Sequence, residues 1–504
     1  MNRIGGSTHR LNTCARSVYN SEHMNSKQAS LTFLAPLLLL GVACTAPSPT
    51  ESNASEASSA GVPAAAKKEA ARTTALPEPS ADAPAERVLF KNVHVFDGVR
   101  EQRVMGVNVL VEGKLIQQVS TEELAAEGAT VIDGKGRTLM PGLIDAHWHT
   151  TFCCAPQSTV VTGDILEIAI RGALGAEQTL MRGFTTVRDV GGNPFAIKKM
   201  IDAGELVGPR IYPSGPPISQ TSGHFDYRGK NEVPTNPADP LNYWERNMLL
   251  LTADGVPEVM KRAREVLRMG ATQLKIAGGG GVSSVYDPLD VQEFTYAEMK
   301  AIVDVADTWN TYVAAHIFTD KATRTAIRAG VKSIEHGYLV GEETLQMMKD
   351  KGVWLSIQPL LNDEDAFKFD DPSSTQKWIQ VTEGTDRIYR LAKKIGVKIA
   401  FGTDMLFDPE TAAKQGKFLA KLKRWFSPYE ILKMATSTNA ELIALCGPRS
   451  PYQSGPIGVI EEGAYADLIL VDGNPLEDID LVADPGSNFA VIMKDGVLHK
   501  NEVP

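Results

Sequence analysis

The chain has 504 residues, which at about 150 residues per domain allows roughly three units, or one large domain with smaller pieces attached. Hydrophobic residues at 43% and charged residues at 22% match a soluble globular protein and exclude collagenous, wholly disordered and multi-span membrane chains. Lys and Arg number 51 against 61 Asp and Glu, a formal charge of -10 without a long basic run, which argues against a nucleic-acid surface.

Residues 1–44 read as an upstream segment followed by a signal peptide. Met24 is a better start than Met1, because residues 1–23 carry no signal character. After Lys27 comes the apolar run LTFLAPLLLLGVA, too short to span a bilayer and shaped like a secretory h-region. Gly41, Val42 and Ala43 then precede Cys44 in the manner of a bacterial lipoprotein processing site, although Leu40 lies one place further from the cysteine than is usual. The expectation is export to the cell envelope, periplasm or outer membrane, with a lipid on Cys44 as the sole membrane attachment. Residues 45–85 are Ala, Ser, Pro, Glu and Thr with few bulky apolar side chains, the composition of a disordered linker. Beyond Cys44 only Cys153, Cys154 and Cys446 remain in the body of the chain. The adjacent pair could form a vicinal disulfide or bind a soft metal; buried free thiols are the favoured reading.

Alternating apolar and polar residues in VLFKNVHVFDG (88–98), GVNVLVEGKLIQQV (106–119) and ATVIDGKGRTLMPG (129–142) predict antiparallel strands. The same texture returns in YADLILVDGNP (465–475) and FAVIMKDGVLHK (489–500). Residues 86–142 and 451–504 are therefore expected to share one small β-sandwich. Between them, LIDAHWH, TTVRDVGG, RIYPSGP, TQLKIAGGGG, TYVAAHIF, KSIEHGYL, VWLSIQP and KIAFGTD alternate with helical patterns. Eight strands in that alternation predict an α/β fold, a (β/α)8 TIM barrel over residues 143–450. Long inserts fall at 217–255 and 361–385, the latter, rich in Asp, Phe and Lys, expected as a loop or short helices over the barrel mouth, and Ser427 with Pro428 starts a final helix.

The polar residues of interest fall at the C-terminal ends of these strands, where barrel enzymes build their sites. His147 and His149, two apart on a strand, point to one side and can share a metal ion. Lys275 lies between Leu274 and Ile276, and a buried ammonium there tends to lose its proton, leaving an amine that carbon dioxide converts to a bridging carbamate. His316 ends the fifth strand, His336 the sixth, and Asp404 the eighth, placed as ligand and general base. These six donors suffice for two divalent ions with a bridging hydroxide, Zn²⁺ suiting the imidazoles and Mn²⁺, Co²⁺ or Fe²⁺ also admissible.

HxH on strand one, Lys on four, His on five and six and Asp on eight, framed by PGLIDAHWH and ADLILVDGNP, resemble the amidohydrolase superfamily over residues 86–500. The segments TTVRDVGG, SQTSGHFD, LKIAGGGGVSS, EHGY and FGTD are similar to its branch of imidazolonepropionase-related dipeptidases and carboxypeptidases, with Xaa-Pro and Xaa-Arg dipeptidases and ochratoxin-hydrolysing amidases. The resemblance implies hydrolysis of a dipeptide or N-acyl amino acid by the bridging hydroxide, with His224 as a catalytic, substrate-side residue and a homo-oligomeric assembly. Tyr286 and Tyr338, just beyond strands four and six, are candidate substrate contacts. Cyclic-amide, lactone or phosphotriester hydrolysis on the same site is the alternative.

Overall fold

A computed structural model describes residues 86–232 and 241–503. The signal-like segment, Cys44 and the linker lie outside the described residues. Among those described, no helix is long and apolar enough to cross a membrane.

Strands from both ends of the described chain build one eight-stranded sheet. Val497–Asn501, Phe489–Lys494, Leu468–Val471, Thr138–Pro141, Arg87–Val95, Val104–Glu112 and Leu115–Ser120 follow one another across it, and Ala129–Asp133 pairs beside Arg87–Val95. The junction between the two chain ends is the antiparallel ladder of Leu468–Val471 on Thr138–Pro141. Phe90, Val109, Leu468, Val491 and Met493 meet in a core of their own. The ladders are continuous, so the expected sandwich takes the form of a single sheet wrapped about that core.

The eight predicted apolar runs all form parallel strands: Leu143–Trp148, Phe184–Asp189, Arg210–Pro213, Leu274–Ala277, Val313–Ile317, Ser333–His336, Trp354–Ile357 and Ile399–Phe401. Every residue in them is buried, as expected for strands covered on both faces. The first three form one sheet; the other five, with the two-residue strands Ile218–Ser219 and Leu251–Thr252, form another. The sheets meet along two seams made largely by side chains. At one, Gln273 Nε2 donates to Tyr212 O at 2.9 Å and Thr272 N to Pro213 O at 2.7 Å. At the other, Asn439 Nδ2 donates to Ile144 O (2.7 Å) and Phe401 O (2.8 Å), while Asp404 N donates to His147 O at 2.8 Å.

Helices separate the strands, each ending where local chemistry dictates. Tyr296–Thr308 opens with a capping box between Thr295 and Glu298. The 361–385 insert departs from expectation, because its second half begins the 24-residue helix Pro372–Ile395. Asp371 caps Ser374 N, Pro372 supplies a preset first turn, and Gly396 ends the helix at φ 83°, a conformation that suits glycine. Trp378, Val381, Ile388, Tyr389 and Ala392 give it a buried face. In the last helical segment Ser427 caps the helix as expected, accepting from Glu430 N, and the Glu430 side chain returns the bond.

Candidate active site

The six predicted ligands and His224 line one cavity of ≈ 430 Å³ at the C-terminal ends of the parallel strands. His147 Nε2 and His149 Nε2 lie 3.3 and 3.1 Å from the same oxygen of Asp404, and His336 Nδ1 lies 3.9 Å from the other. The ring of His336 is 4.9 Å from that of His147 and 4.4 Å from that of His316. Tyr338 also lines the cavity, fully buried, but its hydroxyl donates to Gln358 O at 2.7 Å. Tyr286 is 51% exposed and lies outside the cavity lining, so the structure does not bring it to the site.

Cys153 and Cys154, shortly after strand Leu143–Trp148, are buried free thiols 3.2 Å apart, and Cys446 is likewise free.

The local backbone explains why these side chains converge. Asp145, buried in the first strand, accepts from His147 N (3.0 Å), Thr403 N (3.1 Å), Thr403 Oγ1 (2.6 Å) and Gln415 Nε2 (2.8 Å). It thereby ties the first strand to the turn that carries Asp404. Gly402 permits this approach, since a Cβ there would stand 2.4 Å from His147 Cβ. His336 at φ 80° and Asp404 at φ 55° adopt the left-handed region, a strain held in place by surrounding structure at two of the predicted ligand positions.

Polar residues that the strand-end reading did not single out surround these ligands. Glu335 accepts from His147 Nδ1 at 2.8 Å and from Arg188 Nη2 at 2.7 Å, all three side chains being buried. Gln358 Oε1 lies 2.9 Å from His336 Nδ1, and Gly191 O lies 3.2 Å from His149 Nδ1. One nitrogen of each of these rings is thus held by an acceptor and the other is left for a ligand, the arrangement usual around protein-bound metals.

The electrostatics agree with that arrangement. Burial would raise the carboxyl of Asp404, but the neighbouring His147, His149 and His336 hold it well below the usual range. Burial likewise opposes ionisation of Glu335, and Arg188 with His147 overcomes it. Burial, with the nearby imidazoles and Lys275, keeps His316 neutral, and His336 is pushed down to about 3 mainly by burial. Neutral imidazoles and an ionised carboxylate are the states in which these groups bind a metal. His147, His149 and Asp404 offer three ligand atoms within 4.8 Å of one another and could hold a divalent ion. Lys275, wholly buried, has its ammonium pushed down to about 8 by desolvation, against the opposing pull of Glu335 and Asp404. These donor states fit a divalent metal centre.

Among curated proteins, ochratoxinase of Aspergillus niger is 33% identical over 383 residues, covering 72% of this chain and 75% of its own length. Among solved structures, a prolidase in complex with N-methylphosphonate-L-proline superposes with a TM-score of 0.76 at 33% identity, covering 82% of this chain and 100% of that one. A Xaa-Pro dipeptidase with methionine bound in its active site superposes with a TM-score of 0.71 at 27% identity, again covering 82% and 100%. Residues 138–498 match the amidohydrolase family. With a match that spans both parallel sheets, this chain belongs to the amidohydrolase family and is a hydrolase of amide C–N bonds.

Proposed function

We propose that this protein is a binuclear metal amidohydrolase that releases the C-terminal residue from dipeptides or N-acyl amino acids. The observation that carries the reading is the meeting of four imidazoles, Lys275 and Asp404 in one cavity whose remaining lining mixes aromatic side chains, among them Phe225, Phe318 and Trp378, with charged ones such as Asp365, Glu410 and Lys414. The two parallel sheets are read as one (β/α)8 barrel closed across its seams, and the terminal sheet as its β-sandwich.

His147, His149, Lys275, His316, His336 and Asp404 would hold two divalent ions, most simply Zn²⁺. When bound, such ions lower the pKa of water and polarise a carbonyl. Lys275, with a substantial fraction of free amine near pH 8, would form an N–C bond to carbon dioxide and release one N–H proton to solvent, giving an anionic carbamate in place of a buried cation. Asp404, kept ionised, accepts the proton of the attacking water and returns it to the departing amine. His224 bonds the scissile carbonyl and steadies the charge that develops on its oxygen. The ochratoxinase and prolidase likenesses support an amino acid as leaving group.

Outside the described residues, the reading is an exported protein of the cell envelope anchored by lipid on Cys44, with a homo-oligomeric body. Cys44→Ala should move it from the membrane fraction to the soluble one.

The test is amino-acid release, followed by mass spectrometry, from a panel of dipeptides and N-acyl amino acids bearing each C-terminal residue. Zn²⁺-loaded wild type should release one residue class and Lys275→Ala should release almost none. No release by metal-loaded wild type from any member would overturn the reading.

A further inference from the structure

Helix Pro372–Ile395 lines the cavity through Trp378 and Val381. The residue before Trp378 turns to a different task. Lys377 is largely buried, and its ammonium donates to Gly281 O at 3.0 Å, Ser284 O at 2.7 Å and Asp287 O at 2.8 Å. An ammonium has three protons, so one loop takes them all.

That loop follows the strand of Lys275 and encloses His224. Ser284 Oγ lies 2.7 Å and Asp287 Oδ2 3.4 Å from His224 Nδ1, and Asp287 Oδ2 is itself fixed by Gly281 N at 2.6 Å. Gly281 packs so closely on the imidazole that a Cβ there would stand 2.0 Å from Nδ1. The ring stacks on His316, centroids 4.0 Å apart and planes 18° apart, and the His224 backbone N donates to Glu293 Oε1 at 2.6 Å. Ser284 Oγ and Asp287 Oδ2 both face Nδ1, so Nε2 is the nitrogen left for substrate.

We propose that Asp287 and Lys377 are positioning residues that hold His224 Nε2 against the substrate carbonyl, so that the helix forming the cavity wall also sets the geometry of this contact. The proposal rests on the amide-hydrolase reading for its kinetic test alone. Lys377 and Trp378 are consecutive, so a substrate group that seats against Trp378 bears on the same helical turn that anchors the His224 loop. The fit of that group should therefore register in kcat as well as in KM.

The test uses the metal-loaded protein and the best amide substrate of the panel. Asp287→Ala and Lys377→Met should each lower kcat on the order of 10²-fold, the loss that a small displacement at a reacting centre can cause, with KM and bound metal little changed. Asp287→Asn, whose amide oxygen can still accept from Nδ1, should recover most of the loss. Combined with His224→Ala, neither substitution should cost anything further, because both act through that ring. Additive losses, or metal lost in step with activity, would overturn the proposal. A readout free of substrate is the pair of His224 imidazole ¹⁵N resonances, identified by their absence in His224→Ala. They should shift in Asp287→Ala and Lys377→Met, and unchanged resonances would also overturn it. Shifted resonances in a protein that cleaves no amide would leave the positioning intact and refute the amide reading instead.

Discussion

Replacing Glu335 by Gln tests whether the buried polar network behind the ligands holds the site together. The two carboxylate oxygens receive Arg188 Nη2 at 2.7 Å each, Ser333 Oγ at 2.5 Å and His147 Nδ1 at 2.8 Å. Gln keeps one acceptor oxygen and turns an N–H₂ toward at least one of these donors. One buried donor is then unsatisfied, at about 1–3 kcal/mol, and Arg188, with none of its side chain exposed, keeps its charge without a counterion. Loss of one member of such a pair costs about 3–5 kcal/mol in all. The His147 ring, no longer held by a carboxylate, should bind metal roughly 10–100-fold more weakly. Thermal melting of metal-free protein separates the first effect, and metal content after dialysis against a zinc buffer measures the second. The pH dependence carries a sign as well. The folded pKa of Glu335 lies well below its ordinary value, so its stabilisation is fully present above the unfolded pKa of about 4.3 and is lost as pH falls through the folded pKa. Wild type should therefore lose its advantage over Glu335→Gln in acid. Equal melting temperatures at neutral pH, with equal metal content, would refute the reasoning.

Asp404→Asn should retain metal better than turnover, with kcat falling about 10²–10⁴-fold; wild-type rates would remove its proton-transfer role. Gly402→Ala places a methyl 2.6 Å from His147 N, and the overpacking should cost about 1–3 kcal/mol and reduce bound metal, as melting and elemental analysis would report. Arg210→Met removes a guanidinium that bonds Asp467 at 3.0 and 3.1 Å, pairs with Asp495 and lies 3.7 Å above the Tyr465 ring. Asp467 is left buried without its partner, and about 3–5 kcal/mol should be lost, with part regained in Arg210→Met/Asp467→Asn. An unchanged denaturation midpoint would show that this contact between strand Arg210–Pro213 and the terminal sheet is dispensable.

The predicted ligands were legible because each is a polar residue within or at the end of an apolar run, and strand polarity sends the strand-end residues to one end of the sheet. Glu335 and Arg188 sit inside equally apolar runs, one residue before His336 and one before Asp189. A buried charge within a strand was the available sign, but its partner lies on another strand, and pairing across strands depends on register. Gln358 and Asp287 were harder, since neither interrupts a pattern. Helix Pro372–Ile395 was legible in its Asp-Pro start and in the spacing of Trp378, Val381, Ile388 and Ala392; the preceding Asp, Phe and Lys residues drew the reading toward a loop. The seams between the parallel sheets depend on Asn439 and Gln273, single amides whose partners no periodicity reveals.

The ladder joining the two chain ends bears on the order of events during folding. Thr138 Oγ1 donates to Gly473 O, 335 residues further on, and strand Thr138–Pro141 finds its outer neighbour only in Leu468–Val471. Closing so long a loop adds little to the equilibrium cost, because loop entropy grows only with the logarithm of length. It bears heavily on timing, since pairings distant in sequence form late. While the intervening parallel strands are still being synthesised, Thr138–Pro141 remains an open edge able to recruit a strand from another chain. Truncation before Leu468 would make that transient hazard permanent, so the C-terminal strands act as a built-in stopper against self-association.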